Sequence, residues 1–260
     1  MKPVRTSSLD PICNLNWDWQ YFLDSTISSL SSLSIQPYPT SPSYLDKTSS
    51  LNQGNQKEKI NISTWACKTD KLRQVRVACL SGSSSFSVFN LVFSPSVLYD
   101  VPFFGADFVR LPSGYLLALD LQPVLKNDSE HTHLVWERMM PLYQKWQSQL
   151  PYGGAIPEAA TQFFSPAFLW ARLPNKEESK EIIINKLRPA FNDYLGLYME
   201  LLADAIPVNS ERSSLLREGQ IKYLSYRAKK DPARGMLSRF YGKDWTESYI
   251  HNMLFDLSSI

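Results

Sequence analysis

The sequence predicts an α/β protein, a three-layer α/β/α sandwich around a central, mainly antiparallel β-sheet. Three observations lead there. Four strand-like runs, LRQVRVACL, SFSVFNLVF, PFFGADFVRL and GYLLALDLQ, follow one another between residues 72 and 122, with short Ser, Gly or Pro breaks, as in an antiparallel meander. Several of these runs are apolar on both faces, so the sheet needs cover on both sides. Helical periodicity flanks them toward both ends of the chain, and a helical layer on each face supplies that cover.

Taken in order, residues 17–34 place Trp19, Phe22, Leu23, Ile27 and Leu30 on one helical face. Residues 35–57 are rich in Pro, Ser and Asn and read as a long surface loop. Strand character begins near residue 62. In SFSVFNLVF, Phe86, Val88, Asn90 and Val92 share one face, and Phe89, Leu91 and Phe93 share the other. Residues 132–149 read as a helix that Pro141 starts or kinks. FFSPAFLWARL, residues 163–173, reads as a further strand with Phe168, Trp170 and Arg172 on one face. Residues 176–205 show heptad-like apolar spacing, with Pro189 as a possible divider, and helices are expected over 210–229 and 246–256. No linker separates two cores, so residues 1–260 are expected to form a single domain.

With 260 residues and 43% hydrophobic content, the chain is long enough for one large core. Its apolar runs break well short of the roughly 20 residues of a membrane span. The opening MKPVRTSSLDPICNLNWDW lacks the apolar core of a secretory signal, so the protein is expected to stay where it is made. Cys13, Cys67 and Cys79 are too few and too scattered for a disulfide framework, a zinc site or an iron–sulfur cluster. Between Arg217 and Asp244, eight Lys and Arg (217, 222, 227, 229, 230, 234, 239 and 243) face three acids (Glu218, Asp231 and Asp244). That local excess points to an anionic ligand or partner, or else to a solvated helix face.

Two acids stand in settings that point to chemistry. Asp107, in FFGADFV, lies among large apolar residues on a strand expected to be buried. Asp231, in YRAKKDPARG, lies in the most basic stretch. Low dielectric disfavours the charged carboxylate, and an acid kept protonated near neutral pH is what a proton donor requires. A pocket between sheet and helices could bring both onto one ligand. Asn90 lies on the adjacent strand, where its amide either orients a ligand or is satisfied by neighbouring backbone. Asp120, at a strand end, is expected to bond loop amides. Arg172 shares a face with Trp170, and a guanidinium there needs an anion; Arg227, Arg234 and Arg239 are further carboxylate clamps. His131 and His133 form an H-x-H without a third ligand nearby and read as a polar loop leading into a helix; His251 reads as structural. No G-x-G-x-x-G before a helix, P-loop, H-E-x-x-H or G-x-S-x-G occurs, so nicotinamide, nucleotide and metallohydrolase readings have no support.

Over roughly residues 15–257 the chain resembles the ferredoxin-dependent bilin reductases. The carrying segments are TWACKTDKLRQVR, YDVPFFGADFVRLPSGYLLALDLQP, LPYGGAIPEAATQFFSPAFLWARLP, RPAFNDYLGLYMELL and YRAKKDPARGMLSRFYGKDWTESYIHNMLFDL. The resemblance implies an α/β/α sandwich with the bilin between sheet and C-terminal helices. It also implies no metal, flavin or nicotinamide, and reduced ferredoxin as an external donor of single electrons. It places the sheet acid at Asp107 and the C-terminal acid at Asp231, as proton donors to a bilin radical. Some relatives carry a His on the preceding strand; Asn90 stands there in this chain, as in branches that use two acids.

Within the family, TWACKT…RQVR and the closing RFYG..WTE.YIHNMLFDL look most like the branch that reduces the A-ring diene of 15,16-dihydrobiliverdin to phycoerythrobilin. A sibling acting on biliverdin, at the 15,16 bond or fully, and a bilin carrier without turnover remain alternatives. A linear tetrapyrrole is flat and apolar with two propionates. The 7 Trp, 13 Tyr and 13 Phe suit its plane, and Arg172, Arg227 and Arg239 suit its propionates. A basic rim would steer an acidic ferredoxin. The resemblance further implies a cytoplasmic monomer of a cyanobacterium-like cell. Its partners would include an upstream dihydrobiliverdin-forming reductase and downstream bilin lyases, with no nucleic acid.

Overall fold

The computed structural model describes residues 5–12, 17–53, 56–82, 86–258 and 260. Among them, eight strands form one antiparallel sheet: β1 (Gln36–Pro37), β2 (Asp46–Gln53), β3 (Gln56–Lys68), β4 (Leu72–Ser81), β5 (Ser87–Pro95), β6 (Phe103–Leu111), β7 (Gly114–Gln122) and β8 (Leu169–Pro174). The order is β1-β3-β4-β5-β6-β7-β8, with β2 also paired to β3. The expected meander is therefore present.

Period-2 alternation divides the strands into two apolar faces. The first face carries Trp65, Val77, Leu91, Ala106 and Leu119, direct neighbours across five strands. It packs against α1 (Gln20–Ser29), α3 (Ser129–Gln147) and α6 (Arg188–Asp204) through residues such as Phe22, Met139, Phe191 and Tyr198. Rings dominate this layer: Phe89 and Phe108 stack at 5.6 Å, and Phe22 meets Phe108 edge-on at 4.7 Å. The second face carries Ile62, Ala78, Leu80, Val92 and Phe103. It packs against α7 (Ser210–Lys230), α8 (Arg234–Tyr241), α9 (Lys243–Tyr249) and the π-helical turn Ile250–Leu254. This is the three-layer α/β/α arrangement.

Four expectations need correction. The supposed loop at 35–57 holds β1, the short helix α2 (Pro42–Leu45), β2 and the start of β3, with residues 54–55 outside the described set. An edge strand is held mainly by its ladder, so β2 needs little apolar sequence; Ser63 and Thr48 add side-chain bonds to Asp46 and Asn61 across the pair. The strand expected over 163–173 is only Leu169–Pro174, because Ser165 and Pro166 form a turn held by Asp120 and preceded by the short helix α4 (Glu158–Thr161). Pro189 does not divide the helix it enters. From α5 (Glu177–Ile182) the chain passes through a π-helical turn, Ile183–Leu187, straight into α6, and the turn absorbs the missing proline donor. Finally, α8 is a helix of its own between Asp231 and Gly242, whose φ of 86° reverses the chain.

His131 is neither in a loop nor a free ligand. It is buried in the first turn of α3, with Nδ1 2.5 Å from Asp100 and Nε2 accepting from Val124 N at 3.1 Å. Arg212 at the start of α7 completes the cluster, donating to Asp100 and to Asp128, the N-cap of α3, both at 2.6 Å. This cluster ties the second helical layer to the strand ends.

Candidate active site

The second sheet face is sealed at one side and open at the other. On β3 and β4, Ile62, Ala78 and Leu80 are buried under the helices. On β5 to β8 part of this face is only half-buried, at Val88 and Asn90, Gly105 and Asp107, Leu116 and Ala118, then Trp170, while Val92, Phe103 and Asp120 on the same face are buried. Their alternates, such as Phe89, Ala106, Leu117 and Leu169, are buried on the first face. A cleft therefore runs between this half of the sheet and the C-terminal helices.

One row of direct cross-strand partners leads from the sealed side into its floor: buried Ala78, then Asn90, Asp107, Ala118 and Trp170. Alanines on either side of the polar pair leave room above it, and Trp170 ends the row. The chain at Gly153 lies flat on that indole, since a Cβ there would sit 2.4 Å from the ring.

Asp107 is pushed above the ordinary carboxyl range, first by burial. The Asn90 amide, Arg227 and Arg76 oppose the shift, and the charge of Asp231 reinforces it. Asn90 donates from Nδ2 to Asp107 Oδ1 at 3.1 Å, and its Oδ1 accepts from Arg76 at 2.6 Å. Asn90 is thus satisfied by side chains on both neighbouring strands, not by neighbouring backbone alone.

Asp231 ends α7. Proline at 232 disfavours helical backbone at the preceding residue, and Asp231 takes φ −57° and ψ 118°. Its Oδ1 accepts from Ala233 N at 2.7 Å, which turns the chain toward α8. One helical turn earlier on the same face, Arg227 lies over the rings of Tyr223 and Phe255 and bonds Tyr223 Oη at 3.3 Å. Its charge acts on both acids. Two acids and a guanidinium from opposite ends of the chain therefore meet across one cleft.

The other candidates lie elsewhere. Arg172 is on the same sheet face but exposed at the β8 edge, stacked over Trp170 at 5.4 Å. Arg239 is exposed on α8. Arg234 is occupied, bonding Glu247 and the Ala228 carbonyl. Asp120 is buried, accepts from the Ser165 amide at 2.9 Å and from its hydroxyl, and is raised to about 7 by burial. Among the described residues, no three His, Cys, Asp or Glu cluster as a metal site. Cys67 and Cys79 are buried free thiols, both with raised pKa from burial; Cys13 lies outside the described residues.

The residue that sequence reasoning missed is Arg76, which is 0% exposed. Its signal was present: an arginine in the apolar run VRVACL, on the face of Ala78, needs an acceptor for the same reason as Arg172.

Comparison with known proteins places this chain in a family. The family profile described as "Ferredoxin-dependent bilin reductase" matches residues 23–256. Phycoerythrobilin:ferredoxin oxidoreductase of Synechococcus sp. (strain RCC307) is 53% identical over 257 residues, covering 99% of this chain and 98% of the relative. The protein of that name from Parasynechococcus marenigrum (strain WH8102) is 55% identical over 254 residues, covering 98% and 97%. The crystal structure of phytochromobilin synthase from tomato in complex with biliverdin shares the fold, with a TM-score of 0.80 at 24% identity over 92% of this chain and 83% of that one. With its profile match spanning most of the chain and near full-length relatives above half identity, the chain belongs to the ferredoxin-dependent bilin reductases.

Proposed function

We propose that this reductase converts 15,16-dihydrobiliverdin to phycoerythrobilin by reducing the A-ring diene. Ferredoxin supplies two electrons, one at a time, and Asp107 and Asp231 supply one proton each. The observation that carries the reading is the pair itself: a half-buried sheet acid held above its ordinary pKa feels the charge of a second acid at the end of α7. An electron added to an extended π-system makes it more basic, and the acid nearest a given carbon then protonates it. Two acids on opposite walls match a reduction that consumes two protons. The names of the two relatives described above, both phycoerythrobilin:ferredoxin oxidoreductases, support the same product.

Arg227, whose charge acts on both acids, would also pair with a propionate, and the exposed Arg172 and Arg239 would be outer propionate contacts. Exposed Lys229 and Lys230, next to Asp231, form a basic rim for an acidic ferredoxin. Binding alone needs no acid of raised pKa, which favours an enzyme over a carrier.

The test is anaerobic turnover with reduced ferredoxin, on biliverdin and on 15,16-dihydrobiliverdin separately, with products identified by chromatography. Phycoerythrobilin from dihydrobiliverdin alone is expected. Reduction of biliverdin would move the chain to a sibling activity, and tight binding of both without reduction would make it a carrier.

A further inference from the structure

Asn90 can point its amide either way as far as its own shape is concerned. Arg76 removes the choice. A guanidinium has donors only, so the atom 2.6 Å from Arg76 must be the Asn90 oxygen, and the nitrogen must face Asp107. Arg76 is itself fixed, because its Nε donates to the Leu254 carbonyl at 2.9 Å, in the π-helical turn that closes the C-terminal layer. Gln74 and Arg73 reach the same segment, at Met253 and Asp256.

We propose that Arg76 is a positioning residue for proton delivery: by holding Asn90 Oδ1 it aims Nδ2 at Asp107 Oδ1 and leaves Oδ2 as the oxygen that carries the proton. Among the described residues, Asp107 Oδ2 accepts no side-chain hydrogen bond. In a neutral carboxyl the carbonyl oxygen is the better acceptor, so an N–H held on Oδ1 favours the proton on Oδ2. The C-terminal turn, Arg76, Asn90 and Asp107 thus form one chain of contacts across β4, β5 and β6. The inference rests on the reading of Asp107 as a donor.

Arg76 acts on Asp107 with other charged or titratable groups around the cleft. Arg227 and Asp231, from α7 and its end, act on both Asp107 and Arg76, whereas Tyr223 of α7 and Tyr249 of α9 act on Arg76. Arg76 remains a cation near neutral pH, although burial lowers it to about 10. Losing the Asn90 donor removes the largest influence that favours ionised Asp107. The acid form would then persist to higher pH, but with its proton no longer confined to one oxygen.

The test is the pH profile of single-turnover bilin reduction in wild type, Arg76→Lys, Arg76→Gln, Asn90→Leu and the Arg76→Gln/Asn90→Leu pair, with KM and thermal stability measured alongside. Arg76→Lys keeps a pure donor and should keep the wild-type profile. Arg76→Gln and Asn90→Leu should each cut kcat at least five-fold with little change in KM and move the alkaline limb upward by at least half a pH unit. The pair should show little beyond Asn90→Leu alone. A merely structural Arg76 would lower thermal stability and leave the limb in place, which overturns the proposal. If Arg76→Gln does not fold, an unmoved limb in Asn90→Leu overturns it equally. An Asp107→Asn protein that still turns over at the wild-type rate would instead remove the reading of Asp107 on which the inference stands.

Discussion

Asn90 and Asp107 are direct cross-strand partners, and the Asn90 amide donates to Asp107 Oδ1 at 3.1 Å. The bond works against burial, the main cause of the raised carboxyl. Two opposed influences therefore act on Asp107: burial favours its acid form and the Asn90 bond favours its carboxylate. Asp107→Asn keeps shape and hydrogen bonding but has no acidic proton. It should bind bilin within a few-fold of wild type and lose reduction by about 100-fold or more. The same assignment fixes the sign of the pH dependence. The protonated acid is the working form, so turnover should fall as pH rises through the raised Asp107 pKa. Rates that stay level or climb across that limb would remove Asp107 as the donor.

Asp231→Asn tests the second acid. The substituted amide oxygen can still accept from Ala233 N, so the turn into α8 should survive. If Asp231 gives the second proton, the first electron and proton still arrive, and a bilin radical should accumulate. Anaerobic absorbance and electron paramagnetic resonance would detect it. Normal product yield without a radical would assign the second proton elsewhere.

What could be read in the sequence follows from how strongly each feature writes itself into local pattern. The runs from β4 to β7 are apolar and bounded by turn residues, so their meander was legible. β2 was not, because an edge strand is held by ladder bonds to β3 and tolerates Ser, Thr and Asn. The fold brings the charge of Asp231 to bear on Asp107. Both acids stood out in the sequence because carboxyls among Phe residues or lysines break the local rule. Arg76 breaks it equally in VRVACL. Its partners, Asn90 on the next strand and Leu254 near the C-terminus, are set by register and tertiary packing, which single-sequence periodicity does not carry. The same limit explains Arg172 and Arg239: residue type suggested anion partners, but only the fold shows both exposed, one on β8 beside Trp170 and one on α8.

The Arg212 cluster makes a separate prediction about stability. Arg212 donates to Asp100 and Asp128, and Asp128 is held down to about 2, chiefly by the Arg212 hydrogen bond. Asp100 is lowered as well. Carboxyls depressed in the folded state stabilise it above their unfolded values near 4, and that contribution is lost as pH falls toward 2. Arg212→Met should cost roughly 2–3 kcal/mol at pH 7, less than for a fully buried pair because Asp128 keeps contact with water. Urea titrations should show the gap from wild type shrinking between pH 5 and pH 2. A gap that is constant with pH would mean that packing, not charge, is what Arg212 contributes.

Asp120 should behave in the opposite sense. Burial raises it to about 7, so its acid form is the one the fold prefers. Its contribution is full below the unfolded value near 4 and is lost as pH rises through 7. Asp120→Asn keeps an acceptor for Ser165 N and cannot ionise. It should flatten the stability profile between pH 4 and 7, read from urea midpoints. A variant whose midpoint still falls across that range would place the titrating group elsewhere.

The basic stretch near Asp231 divides by direction. Arg227 and Arg234 turn inward, while Arg217, Lys222, Lys229, Lys230, Arg239 and Lys243 are exposed. Lys229 and Lys230 are the exposed last residues of α7, next to Asp231, and on the proposed function an acidic ferredoxin would dock there. Exposed charges act mainly on association rate and are screened over roughly 8–10 Å at ordinary ionic strength. Lys229→Gln/Lys230→Gln should therefore lower ferredoxin-driven turnover several-fold at low salt. It should also reduce the steepness with which turnover falls as salt is added, and leave bilin affinity alone. If both the rate and its salt slope match wild type, ferredoxin approaches from another side of the molecule, and the exposed charges of α7 serve only solvation.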